Sequence, residues 1–121
     1  MGNTIPFETL LGLTIDRITG LEVDSDDVVL LTTCGRTFRM HHYQDCCESV
    51  SIADITGDVA DLIGEPILRA EESSSDASDS TSESGTWTFY KLATRKGYVD
   101  IRWLGQSNGY YSEAVDFEEV K

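Results

Sequence analysis

Between Thr86 and Trp103 the side chains alternate with a period of two, and this limits the fold more than any other feature. Thr86, Trp87, Thr88, Phe89, Tyr90, Lys91 and Leu92 set Trp87, Phe89 and Lys91 on one side. Arg95, Lys96 and Gly97 supply a turn, after which Val99, Ile101 and Trp103 point inward and Tyr98, Asp100 and Arg102 outward. Successive side chains of a strand face opposite ways, so the stretch predicts two half-buried strands joined tightly. Gly105, Gln106, Ser107, Asn108 and Gly109 read as a second turn. The segment from Tyr110 to Phe117 reads as a third strand, completing a three-stranded antiparallel meander.

Upstream the pattern is shorter but similar. Val28 to Thr33 is apolar and β-branched on both sides, as in a central strand. Cys34 and Gly35 turn it into a second run from Thr37 to Tyr43, predicting an N-terminal hairpin. Leu13 to Thr19 and the alternation of Val50 and Ile52 with Ser49 and Ser51 predict further strands, and Ile67 starts another. Pro6 to Gly12 and Asp58 to Gly64 read as two short helices, begun by Pro6 or capped by Asp58 and ended by glycine. The expected fold class is therefore α+β: a β-rich antiparallel sheet with two short helices over one face or end. From Ser73 to Gly85 no large apolar side chain occurs. That composition predicts a flexible acidic loop at 73–85 inside a single domain spanning 1–121.

The formal net charge is −13, from 22 acidic against 9 basic residues. Nucleic acid and anionic membranes repel such a chain, which argues against both as direct partners and leaves a basic protein or a cation. No apolar run approaches the roughly 20 residues that cross a bilayer. Three cysteines and no basic, apolar leader fit a reducing cytoplasm. Asp24, Ser25, Asp26 and Asp27 read as a turn, since a calcium loop needs a distal bidentate carboxylate that is lacking here.

One decapeptide, 41–50, gathers both histidines, Cys46, Cys47, Asp45 and Glu48. His42 and Cys46 have the spacing to chelate a metal together, but no second pair of ligands completes a tetrahedral site, so they are weak candidates and no cofactor is expected. Cys47 with His42 as base and Asp45 as orienter has the chemistry of a nucleophile. All three are local, however, and no oxyanion site accompanies them, so no catalytic residue and no enzyme is expected. Ser107, Asn108, Tyr110, Tyr111 and Glu113 have the composition of a recognition surface, with rigid amphipathic tyrosines beside amide and hydroxyl groups. Tyr43, Gln44, Asp45 and Glu48 join them as candidate binding residues, with Arg39 or Arg102 available to neutralise an anionic group.

The motifs Gln44-Asp45-Cys46-Cys47-Glu48-Ser49-Val50, Gly57-Asp58 with Asp61-Leu62-Ile63-Gly64, Thr86-Trp87-Thr88-Phe89-Tyr90-Lys91 and Ser107-Asn108-Gly109-Tyr110-Tyr111-Ser112-Glu113 together resemble a family of small, uncharacterised bacteriophage proteins. The resemblance runs over 11–117 apart from the serine-rich insertion. It implies a phage origin and action in the cytoplasm of a bacterial host, and brings no catalytic residues with it. Two functions follow as expectations. The first is non-enzymatic inhibition of a host factor, such as one of an antiviral defence system, by an acidic surface: Asp24, Asp26, Asp27, Asp58, Asp61, Asp116, Glu118 and Glu119 facing a host protein with a basic surface. The alternative is a homo-oligomer that sequesters a small nucleotide-like signal with its Tyr-rich loop.

Overall fold

The structure, a computed structural model, describes residues 3–42, 48–76, 84–107 and 113–120. Its strands are β1 (Asn3–Thr4), β2 (Ile15–Thr19), β3 (Asp27–Thr32), β4 (Thr37–His41), β5 (Ser49–Gly57), β6 (Arg69–Asp76), β7 (Ser84–Thr94), β8 (Gly97–Ser107) and β9 (Asp116–Val120). They form two antiparallel sheets. The first has the order β1-β9-β4-β3-β2, the second β5-β8-β7-β6.

The expected α+β class is corrected by this architecture, which is essentially all-β. The segments read as helices are single 3-10 turns, Phe7–Leu10 and Val59–Leu62. Seven residues between Pro6 and Gly12, and as many between Asp58 and Gly64, are too few to offset the cost of nucleating an α-helix. The capping logic itself holds at the second turn, where the Asp58 carboxylate accepts a hydrogen bond from the Ala60 N–H. Gly12 (φ +84°) and Gly64 (φ +87°) then turn the chain through backbone angles that side chains resist.

The predicted hairpin of β3 and β4 forms, with Asp27 opposite His41 and Leu31 opposite Thr37. Its neighbour β2 bends at an irregularity between Ile15 and Arg17, so Ile15 is buried while Arg17 is exposed. The meander needs a second correction. Strands β7 and β8 pair over their whole length, but the third strand is β9, which leaves that sheet to lie between β1 and β4. Gly105, Gln106 and Ser107 are not a turn. They extend β8 between β5 and β7, pairing with Val50, Ser49, Thr86, Gly85 and Ser84. A period of two identifies a strand, but not its neighbours. Ser73 to Asp76 are likewise strand-paired, opposite Phe89 to Thr86, and 77–83 lies outside the described residues.

One core lies between the sheets. From the second sheet it takes Val50, Ile52, Tyr90, Leu92, Val99, Ile101 and Trp103, and from the first Val28, Leu30, Phe38, Met40 and Phe117. The inward set of β8 is the one its alternation predicts. On β7 the buried side chains are Thr88, Tyr90, Leu92 and Thr94, so Trp87 and Phe89 share the outer face, where the Arg102 guanidinium lies 4.7 Å from the Trp87 ring centre. Phe7, 1% exposed, bridges the layers. Its ring centre is 4.6 Å from that of Tyr90 and 5.0 Å from that of Phe117. Burying such a side chain contributes about 1.5–3 kcal/mol. On the opposite flank Asp24 adopts φ +74° in the β2–β3 turn, a region Asp tolerates. Its N–H donates to the Ile52 carbonyl, and the Ile52 N–H to that of Ser25, tying the turn to β5.

Candidate functional site

Three chain crossings start and finish at one end of the two sheets. Strand β4 ends at His41 and the chain re-enters at Glu48, before β5. Strand β8 ends at Ser107 and the chain re-enters at Glu113, before β9. The β6–β7 hairpin leaves at Asp76 and returns at Ser84, which pairs with Ser107. Since Ser49 is opposite Gln106, the register brings Glu48 beside Ser107.

Buried polar pairs hold this end together. The His42 side chain is 4% exposed and that of Glu48 is 1% exposed, with Nε2 and Oε2 2.9 Å apart. His42 Nδ1 lies 2.8 Å from the Ala114 carbonyl oxygen. A carbonyl only accepts, so Nδ1 carries a hydrogen and donates it. Beside it, His41 Nε2 meets Glu118 Oε1 at 2.6 Å, with side chains 4% and 3% exposed. Glu113 completes the set: Oε2 accepts from the Ser107 hydroxyl at 2.5 Å and Oε1 from the Thr86 hydroxyl at 2.7 Å. The close approach of Glu113 to β8 needs Gly105, because a Cβ there would sit 2.4 Å from the Glu113 carbonyl oxygen. Removing one partner of a buried pair costs about 3–5 kcal/mol, so these groups act first as clasps.

Of the sequence-derived candidates, His42, Glu48, Ser107 and Glu113 therefore come together. Tyr43, Gln44, Asp45, Cys46, Cys47, Asn108, Tyr110 and Tyr111 lie outside the described residues, so only the anchors of their two segments are placed. Sequence reasoning missed His41, Thr86, Gly105, Ala114 and the burial of Glu118. His41 follows an inward Met40 and Glu118 an inward Phe117, so alternation predicts both outside, and their mutual pairing accompanies the two buried neighbours on each strand. As a base or a metal ligand His42 is poorly placed, because both ring nitrogens are engaged. No group of three metal-capable side chains occurs among the described residues.

The eight carboxylates of the expected acidic surface do not converge. Asp27, opposite His41, and Asp116, on the other side of His41, belong to the clasped end, as do the exposed Glu22, Asp24 and Asp26. Asp58 and Asp61 sit at the far end of the second sheet, after Gly57 opposite Val99. Glu118 is buried against His41, while Glu119 and Asp27 take bidentate hydrogen bonds from Arg36 and Arg39. Arg102 stacks on Trp87 outside the second sheet, whereas Arg39, opposite Glu118 in the ladder, stands beside the clasps and is paired with Asp27. Cys34 is exposed in the β3–β4 turn, where the Thr32 hydroxyl holds its thiol below the usual value.

No helix among the described residues is long and apolar enough to cross a membrane. The chain belongs to the family of DUF7448, a domain of unknown function whose family model matches residues 8–117. No curated protein and no solved structure matches it.

Proposed function

We propose that this DUF7448 protein is a non-enzymatic binding protein that engages a basic host protein with the clasped, acidic end of its fold. The observation that carries this reading is positional. Exposed Glu22, Asp24 and Asp26 and the half-buried Asp116 surround the same end at which the 43–47, 77–83 and 108–112 connections are anchored. Five of the six arginines meet carboxylates within the chain: Arg36, Arg39, Arg69, Arg95 and Arg102. The surplus of negative charge is thus left for a partner, and exposed carboxylates steer a basic surface toward them. The resemblance to bacteriophage proteins supports a bacterial host factor as that partner, met in the cytoplasm, with a defence system as the setting in which inhibition matters. Capture from bacterial lysate at rising salt tests this. A basic protein released as salt rises is expected, and capture that ignores salt overturns the reading.

A second reading, sequestration of a small nucleotide-like ligand, draws on a different observation. The bond from His42 to Ala114 joins the anchors of the two segments that carry Tyr43, Gln44, Asn108, Tyr110 and Tyr111. Native mass spectrometry of gently purified protein distinguishes it: a retained organic mass, lost in Tyr110→Ala or Tyr111→Ala, favours the ligand, and a bare chain favours the protein partner.

A further inference from the structure

The other sheet edges of this fold are each short or engaged at a point along their length. The outer side of β2 is bridged at Ile15 to Ile63, next to a bridge from Thr14 to Pro66, that of β5 is tied at Ile52 to the 24–25 turn, and β1 is only two residues long. Strand β6 is different. It is eight residues long, β7 is the only strand that pairs with it, the Phe7–Leu10 turn packs against it, and 71–75 are all exposed. Among the described residues, no backbone hydrogen bond other than those of the β6–β7 ladder reaches 71–75. An edge strand turns alternate N–H and C=O groups away from its one neighbour, which makes it a template for another strand.

We infer that the free edge of β6 is a strand-addition site for a basic, extended peptide segment of a partner protein. Backbone pairing supplies the fit and side-chain charge the choice of occupant. Ala70 is buried, so Glu72 shares its inward side while Glu71 lies on the outer face opposite Lys91. The Glu72 carboxyl sits 3.4 Å from the buried Tyr90 hydroxyl. Partial shielding from water against Tyr90, with the negative charges of Glu8 and Asp116 added, holds that carboxyl above its ordinary value although the residue as a whole is exposed. A lysine or arginine on an added strand meets this crowded negative charge and relieves it. A second copy of the chain brings another Glu72 to the edge and no basic side chain but Arg69, which is already paired with Glu71. Ser73, Ser74 and Ser75 are small enough to let a foreign strand lie flat.

The inference shares with the proposed function a basic partner, but concerns a different surface and is tested without the host protein. The probe is a synthetic peptide of about eight residues alternating Lys and Val, long enough to match a typical strand. Its binding to the full chain is followed by fluorescence anisotropy and by amide exchange. Binding is expected, with slowed exchange at 71–75. Methylating alternate amide nitrogens of the peptide keeps its charge and removes the donors on one edge only, so the series that strips the edge facing β6 should weaken binding at least about tenfold while the other series should not. Glu8→Gln/Glu72→Gln should weaken it as well. Equal binding by both fully methylated registers, or binding with no change in exchange at 71–75, overturns the proposal. So does failure of the unmodified peptide to bind, or protection of 71–75 that rises with protein concentration in the absence of peptide. None of these results bears on capture by the acidic end, whose own failure would leave peptide binding at β6 intact.

Discussion

His42 Nδ1 donates a hydrogen bond to the carbonyl oxygen of Ala114 at 2.8 Å, across 72 positions of sequence. That bond, with the 2.9 Å contact of Nε2 to Glu48, joins the exit of β4, the entry of β5 and the approach to β9. A single imidazole thus holds both sheets together at the end where the proposed surface lies. The same two contacts leave it badly placed to deprotonate a thiol.

Replacing His42 should therefore show as lost stability. His42→Ala leaves the buried Glu48 without its imidazole and should cost about 3 kcal/mol or more in urea unfolding. His42→Gln, which can still donate one hydrogen bond, should cost less. An unfolding midpoint for His42→Ala equal to wild type would remove the clasp from this account.

Gly105→Ala tests the packing of Glu113 on β8. The added methyl meets the Glu113 backbone at 2.4 Å, so the chain must shift, at a cost of about 1–3 kcal/mol. Thermal unfolding reads the loss, and a wild-type melting temperature would show that Glu113 does not lie against this position.

At Glu72 the raised carboxyl has a pH signature. Between the ordinary carboxyl value and the raised one, the folded chain holds more proton at this site than the unfolded chain. Stability from this group is hence present below that window and falls as pH rises through it. Glu72→Gln should make the protein more stable than wild type at neutral pH, with the difference closing in acid. Urea titrations at a series of pH values check the sign, and a variant less stable at neutral pH contradicts it.

Phe7→Ala removes the ring that touches Tyr90 in one sheet and Phe117 in the other. A cost of about 3–5 kcal/mol is expected from the lost burial and the cavity left behind. Denaturant unfolding measures it. A loss under about 1 kcal/mol would mean that the first 3-10 turn is not part of the common core.

Local pattern made much of this fold legible. The strand β8, with Val99, Ile101 and Trp103 inward, and the β3–β4 hairpin follow directly from alternation and turn residues. What alternation does not carry is partnership. Val115 and Phe117 read as strand in either sheet, and the choice rests on long-range facts such as Glu118 meeting His41. The two short helices fail for a related reason: proline, aspartate and glycine mark where a turn starts and stops, but not whether it lengthens into a helix. At the site, Glu48, Ser107 and Glu113 stood out by composition. Their role as buried anchors came from partners, His42 and Thr86, that are distant in sequence.

The most direct test of the central claim is salt-dependent capture from bacterial lysate by three proteins: wild type, Asp24→Lys/Asp26→Lys at the clasped end, and Asp16→Lys/Glu65→Lys at the opposite end. The account predicts a captured basic protein that falls away with rising salt, is lost in the first variant and is retained by the second. Equal capture by both variants, or equal loss in both, would contradict a partner surface at the clasped end.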